Sequence, residues 1–264
     1  MIDRQSILKQ YGTFIDSEGV FLKTLDQIIQ AERNYDVQVT AFLTPDLTYM
    51  FSQIVKAHTD LLIDIIGVFK GAERNRLVIR PEFADAVDPN EMLALIEIQY
   101  NQKFNQLAHK DALGALMSLG IKRSKIGDIV VFDGGFQVAV DKSLLEYFVS
   151  QVDKIGRAGV RIQVKAFDEA KEVERAYQNK FGTVKSLRLD SLIAMGYNLS
   201  RQEAQNLIES EQVKVNFAVC DRSDYTPKRE DMISVRGYGR LIIDEILGVT
   251  KKDRIRVSLR VMTR

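Results

Sequence analysis

The chain has 264 residues, 45% of them hydrophobic and 28% charged, with a net charge of +1. That length allows one large domain or two to three small ones, and the composition excludes a disordered chain. No apolar run reaches the roughly 18–20 residues a membrane span needs, and Leu61–Phe69, the most apolar stretch, is broken by Asp64. The start, MIDRQSILKQYG, lacks a signal peptide's apolar core. A lone cysteine, Cys220, excludes an intramolecular disulfide framework. A cytoplasmic protein is expected.

The charge is uneven along the chain. Residues 1–79 carry a net −2, residues 80–182 a net −1 and residues 183–264 a net +4. Contacts to an anionic partner are therefore sought in the last third.

In the first segment, 1–79, Val20, Leu22, Leu25, Ile28 and Ile29 recur at helical spacing and predict a helix over about 17–33. Val37–Leu43 reads as a strand. Thr44-Pro45-Asp46 supplies an N-cap, a first-turn proline and a first-turn acid for a helix running to about Ala57. Leu61–Phe69 and Arg76–Arg80 read as a hairpin.

In the second segment, 80–167, Ala94–Tyr100 is a strand, and His109–Leu119 is a helix stopped by Gly120. Asp128–Phe132 and Phe136–Val140 flank the turn signal Asp133-Gly134-Gly135. Lys142–Ile155 reads as a second helix and Val160–Phe167 as a closing strand. The order β-α-β-β-α-β is the split pattern of ferredoxin-like and RNA-recognition-motif sheets. Phe132 and Phe136 are candidates either for the core, which is favoured, or for solvent-facing stacking. Residues 168–182, dense in opposite charges, read as a solvated helical linker.

The third segment, 183–264, carries the chemistry. Leu189, Leu192 and Ile193 stripe a short helix that Gly196 is expected to end. Ser200-x-x-Glu203 is a capping box opening a second helix, with Ala204, Leu207 and Ile208 inward and Arg201 and Gln205 on another, exposed face. Val213-Lys214-Val215 and Ile233-Ser234-Val235 are short strands, the latter leading into Arg236-Gly237-Tyr238-Gly239-Arg240; a β extension closes the chain. Two helices and a small sheet thus offer Lys185, Arg188, Arg201, Lys214, Arg236 and Arg240 to phosphates, with Gln205 and Asn216 between them for 2′-hydroxyls or base edges. Ser200 sits where a phosphate at a helix N-terminus would lie.

Arg188-Leu189-Asp190, Ala194 and Gly196, Ser200-Arg201 with Ala204 and Ile208, Val213-Lys214-Val215-Asn216, and Asp231, Ile233 and Val235 together resemble the S4 RNA-binding domain. The resemblance implies a compact module whose helical face grips structured RNA, with Arg188, Arg201, Gln205, Lys214 and Asn216 on that face and Asp190 orienting Arg188 or capping structure rather than touching RNA. The sequence departs from the family where glycine is common: Glu211, Phe217 and Glu230 stand there instead. The two acids add negative charge near the proposed face, and Phe217 alters the turn after Asn216.

Nearly the whole chain is similar to the YlmH-type proteins of bacteria, including the middle stretch His109-Lys110-Asp111-Ala112-Leu113-Gly114-Ala115-Leu116-Met117, Leu119-Gly120-Ile121-Lys122-Arg123 and Ile126-Gly127-Asp128-Ile129. The resemblance implies an α+β chain of three small domains: an N-terminal α/β domain, an RNA-recognition-motif-like domain and a C-terminal S4 domain. It also implies association with the ribosome through rRNA or tRNA, in rescue of stalled large subunits carrying peptidyl-tRNA; some members are connected with cell division.

Chemistry of other kinds finds little support. Two histidines and one cysteine cannot build a Cys/His zinc site within one chain, and no nucleotide fingerprint is present, so no cofactor, metal or small-molecule substrate is expected. Cys220 reads as a small buried hydrophobe and His109 as a surface or RNA contact. Arg188-Leu189-Asp190 also resembles the catalytic-aspartate motif of pseudouridine synthases, but Ser191-Leu192-Ile193 follows in the register of the S4 helix. A scaffold with a vestigial S4 module, favoured slightly by Glu211 and Glu230, is the other alternative.

Overall fold

The computed structural model describes residues 2–12, 19–103, 105–172 and 177–263. In chain order its elements are α1 (Arg4–Tyr11), α2 (Val20–Asn34), β1 (Gln38–Val39), α3 (Pro45–His58), β2 (Leu62–Ile66), β3 (Arg76–Arg80), α4 (Pro89–Met92), β4 (Leu93–Tyr100), α5 (His109–Ser118), β5 (Ile126–Phe132) and β6 (Gly135–Asp141). There follow α6 (Leu145–Gln151), β7 (Lys154–Ile155), β8 (Ala158–Lys165), β9 (Gln178–Val184), α7 (Leu189–Tyr197), α8 (Arg201–Glu209), β10 (Val213–Val215), β11 (Ala218–Val219), β12 (Met232–Val235), β13 (Gly239–Val249) and β14 (Ile255–Thr263). They divide into two compact units, residues 1–173 and 174–264.

The first unit holds two sheets, ordered β1-β3-β2 and β5-β6-β4-β8-β7. In the smaller sheet, Leu77 and Ile79 of β3 meet Phe21, Leu25 and Ile28 of α2 and Phe51 and Ile54 of α3. In the larger, Ile96 and Ile98 of β4 and Phe136 and Val138 of β6 meet Ala112 and Leu116 of α5 and Phe148 of α6. The order of β5, β6, β4 and β8 is the split βαβ arrangement expected from the sequence.

β4 is buried on both faces, which explains its unbroken apolar run, LALI, where an open sheet would alternate. Leu93 and Leu95 point away from α5 and α6, and with Val130 and Ala139 they pack on Phe42, Phe69 and Val78 of the N-terminal segment. Polar links reinforce the seam. The Asp128 carboxylate accepts from the Glu73 amide at 2.7 Å, and the Arg74 guanidinium donates to the carbonyls of Phe42 at 3.2 Å and Ile126 at 3.1 Å. Buried Arg76 donates to the Met92 carbonyl at 2.8 Å and pairs with Asp141 at 3.4 Å. The N-terminal segment thus closes the sheet face on which RNA-recognition motifs stack bases. Phe136 lies on the opposite, helix-covered face, fully buried and stacked on Tyr100 at 5.7 Å between centroids. Phe132 is half-buried, with the Lys171 ammonium 4.4 Å from its ring centre.

The second unit is a six-stranded sheet, β11-β10-β12-β13-β14-β9, antiparallel throughout. α7 and α8 cover one face: Leu189, Leu192, Ile193, Ala204 and Ile208 pack on Val213, Val215, Ile233, Val235, Leu241, Ile243, Val257, Leu259 and Val261.

Several local expectations are corrected. The strand expected over Val37–Leu43 shrinks to β1, with Leu43 making only an isolated bridge to Asn75, because the Thr40 carbonyl accepts from the Arg76 guanidinium and the Phe42 amide turns to the Ser124 carbonyl. The helix expected over Lys142–Ile155 is a 3-10 turn followed by α6, and Lys154–Ile155 pairs back on Ala158–Gly159 across Gly156, which holds φ of 58°. The helical linker over 168–182 is overturned at its end: 178–182 belong to β9, the edge strand paired with β14. Residues 173–176 of that linker lie outside the described residues, as does residue 17, the expected start of α2. Gly196 does not end α7 but lies within it, where an added Cβ would come within 2.9 Å of Leu241. The helix stops at Asn198, in the left-handed region at φ 56°.

Candidate nucleic-acid interface

At the N-terminus of α7 one carboxylate gathers the side chains expected to bind RNA. Asp190 is fully buried. Its carboxylate accepts from Arg188 Nη2 at 3.1 Å, Arg201 Nε at 3.0 Å, Gln205 Nε2 at 2.9 Å and Ser191 Oγ at 3.2 Å. The two arginine side chains remain 34% and 53% exposed. A buried anion thus fixes two guanidinium groups and one amide in a defined fan whose outer donors face solvent, the geometry suited to phosphate oxygens. Two cations against one anion leave the hydrogen-bonded set positive, and the nearby Asp224 that acts on Arg188 is itself paired with Arg222.

Burial alone would push the Asp190 carboxyl up. Hydrogen bonds from Arg188, Gln205 and Arg201 outweigh it and hold the group well below the usual carboxylate range. The same bond to Asp190 raises the Arg188 guanidinium further, so it stays charged.

Ser200 caps α8, its hydroxyl accepting from the Glu203 amide at 3.1 Å while its own amide donates to Glu203 Oε2 at 2.7 Å. Both capping residues are exposed. Lys185, between β9 and α7, and Arg236, in the turn before β13, are exposed as well. Lys214 and Arg240 lie elsewhere: Val213 and Val215 point into the helix-covered core, so Lys214 projects from the opposite sheet face, in one row with Ser234 and Arg240. Of the nine expected residues, Arg188, Arg201 and Gln205 therefore converge on Asp190, Ser200 caps α8, Lys185 and Arg236 are exposed in the connections, and Lys214 and Arg240 share the far face.

Asn216 is used inside the fold. Its amide donates to Asp231 Oδ1 at 2.8 Å and accepts from the Met232 amide at 3.0 Å. Asn216 and Phe217, at φ 45° and 70°, make the two-residue link between β10 and β11, a turn with positive φ at both positions for which Asn-Gly is the preferred pair. Glu211 follows α8 at φ 58°, and Glu230 has φ 66°. All three positions where related modules carry glycine thus hold left-handed backbone here. Glu211→Gly is expected to raise stability by roughly 0.5–1 kcal/mol, relief of the Cβ strain exceeding the entropy glycine adds; thermal unfolding measures it, and a fall would show that the acid makes a compensating contact. Glu230 has such a contact, accepting from Arg260 Nη2 at 2.7 Å.

His109 is exposed at the start of α5, its pKa lowered by burial of part of the ring and by Arg123, with Asp128 opposing. Cys220 is half-buried at the margin of the second unit's core. Among the described residues, no group of three metal-ligating side chains is placed to hold an ion, and no helix is long and apolar enough to cross a membrane. Sequence reasoning passed over Phe181 and Arg256. The signal was the alternation of Tyr177, Asn179, Phe181 and Thr183, hidden by reading their segment as a linker.

Residues 18–83 match the family model "YlmH, N-terminal", residues 89–169 "Putative RNA-binding domain in YlmH" and residues 187–233 "S4 domain". The chain is 31% identical over 252 residues to "Ribosome-associated protein quality control protein P2" of Bacillus subtilis (strain 168), covering 94% of this chain and 96% of that one. The chain belongs to the YlmH family. A solved structure, "Cell division protein ylmH from Streptococcus pneumoniae", is 28% identical, covers 56% of this chain and 91% of its own, and aligns with a TM-score of 0.49. In this YlmH chain the Asp190 cluster falls inside the S4 match, and the closed sheet falls inside the central match.

Proposed function

We propose that the chain is a non-enzymatic RNA-binding protein of the cytoplasm that associates with the ribosome through structured rRNA or tRNA and serves the quality control of stalled large subunits. The observation that carries the reading is the fan of Arg188, Arg201 and Gln205 on buried Asp190 within an S4 domain. The name of the Bacillus subtilis relative supports the ribosomal setting. Asp190 has no exposed surface and every partner it meets is a donor, so it positions arginines and leaves no place for a base to be attacked. This favours binding over pseudouridine chemistry.

RNA affinity is expected to fall steeply with salt, at a log–log slope of roughly −0.7 per phosphate contact for single strands. Arg188→Ala and Arg201→Ala are each expected to weaken binding of a structured RNA by about 1–3 kcal/mol and to flatten that slope. Because both arginines share Asp190, their effects will not add. Titration of the full chain against labelled ribosomal RNA fragments at several salt concentrations measures this. Unchanged affinity and slope in both variants would remove the helix face from the interface.

A further inference from the structure

The face of the six-stranded sheet turned away from α7 and α8 carries a second set of groups. The alternation of β9 is fixed by its contacts. Lys180 Nζ donates to the Gly196 carbonyl of α7 at 2.8 Å, and a Cβ at Gly182 would strike Met195 of the same helix. Phe181, between them, therefore faces the other way, and it is 71% exposed.

Across the strand pair, Phe181 stands opposite Ser258, Thr183 opposite Arg256 and Asn179 opposite Arg260. Arg256 and Arg260 are thus the two diagonal neighbours of the ring, each about 7–8 Å away on the same face. Tyr177 continues the row, with the Arg260 guanidinium carbon 6.0 Å from its ring centre. Arg254, in the turn before β14, ties that turn to β9 through Thr183 Oγ1 at 3.0 Å and the Thr183 carbonyl at 2.7 Å. The two ends of the row differ in charge. Arg260 is held by Glu230 at 2.7 Å and Asp244 at 3.1 Å, while exposed Glu245 stands opposite Ser258 and so in line with Phe181 itself. Arg256 has no carboxylate within ion-pairing distance among the described residues, and the adjoining turn exposes Lys251, Lys252 and Asp253, two cations against one acid.

We infer that this face is a second RNA surface, on which Phe181 stacks an unpaired base of a single strand while Arg256 and the Lys251–Arg254 turn hold its phosphates. The inference rests on the RNA-binding reading above and extends it to another face. The immediate neighbours of Phe181 on this face, Asn179, Thr183, Ser258 and Arg256, are polar, a setting that suits a nucleic acid better than an apolar protein contact. An aromatic platform beside unpaired cations is how sheets hold single strands, because every base has a π-face.

The test is fluorescence anisotropy of the full-length chain with two RNA probes, a blunt hairpin and the same hairpin with a short 3′ oligouridine tail. Wild type is expected to bind the tailed RNA about tenfold more tightly, the scale of one good stack. Phe181→Thr, which keeps a strand-favouring residue, should bring the tailed RNA to the blunt value and leave blunt binding unchanged. Arg256→Gln should reduce the tail's advantage and its salt dependence, whereas Arg188→Ala should weaken both probes alike. Equal wild-type affinity for the two probes, or a tail preference that survives Phe181→Thr, overturns the second surface and leaves the helix-side interface standing. Failure of wild type to bind either probe overturns the RNA reading itself, and this inference with it.

Discussion

Asp190→Asn is expected to destabilise the second unit by about 2–3 kcal/mol, the scale of charge-assisted hydrogen bonds lost at a buried acceptor, and to weaken RNA binding at the same time. The carboxylate is the shared acceptor for Arg188, Arg201 and Gln205. An asparagine offers one oxygen and turns its amide hydrogens on a guanidinium. The arginines keep their charge but lose their common anchor, so the phosphate-facing donors lose their order.

The pH dependence has a definite sign. The Asp190 pKa is depressed in the folded state, so its contribution is full above the unfolded value of about 3.9 and is lost as pH falls from there through the folded value. Acid unfolding of the wild type should therefore include a component below about pH 4 that Asp190→Asn lacks. Circular dichroism melts across pH, with RNA titrations at neutral pH, read both effects. A variant as stable as wild type that binds RNA normally would show that Asp190 does not organise the site.

Arg76→Met is expected to have the largest effect on the first unit, about 3–5 kcal/mol, the cost of removing one partner from a buried ion pair. The side chains of Arg76 and Asp141 are only 10% and 7% exposed. Burial lowers the Arg76 pKa and Asp141 partly restores it. The guanidinium also donates to the carbonyls of Thr40 and Met92, which methionine would leave without that donor. Lys125, 2.7 Å from Asp141, would remain and soften the loss. Since whole domains are stable by about 5–15 kcal/mol, the melting temperature of this unit should fall by on the order of 10 °C. A fall of a degree or two would mean that the seam rests on its apolar contacts, Phe42, Phe69, Val78 and Leu95, and not on the ion pair.

Where a segment's fate depends on its own residues, the sequence was readable. Ser200 and Glu203 announce the start of α8 because capping is local, and the valines around Lys214 announce β10 because one face of that strand is buried. Local cues misled where distant packing decides. Gly196 reads as a helix stop, yet it is the thin place that lets α7 lie against Leu241, and Asn198 supplies the left-handed cap. The charged stretch before Gly182 reads as a solvated helix, but β14 offers a sheet edge that turns its end into β9. Nothing local in Val78 or Leu95 foretells that the first two segments, each with its own core, also meet in a shared apolar seam. The helix-side site was legible as residues but not as geometry: Arg188, Arg201 and Gln205 could be named, whereas their convergence on one buried oxygen pair could not.

Sucrose-gradient sedimentation of a cell lysate, probed for the protein at low and high salt, tests the central claim most directly. Migration with the large ribosomal subunit at low salt is expected, lost at high salt and lost in the Arg188→Ala/Arg201→Ala variant. Sedimentation only at the top of the gradient under every condition would contradict a ribosome-binding role for the S4 face.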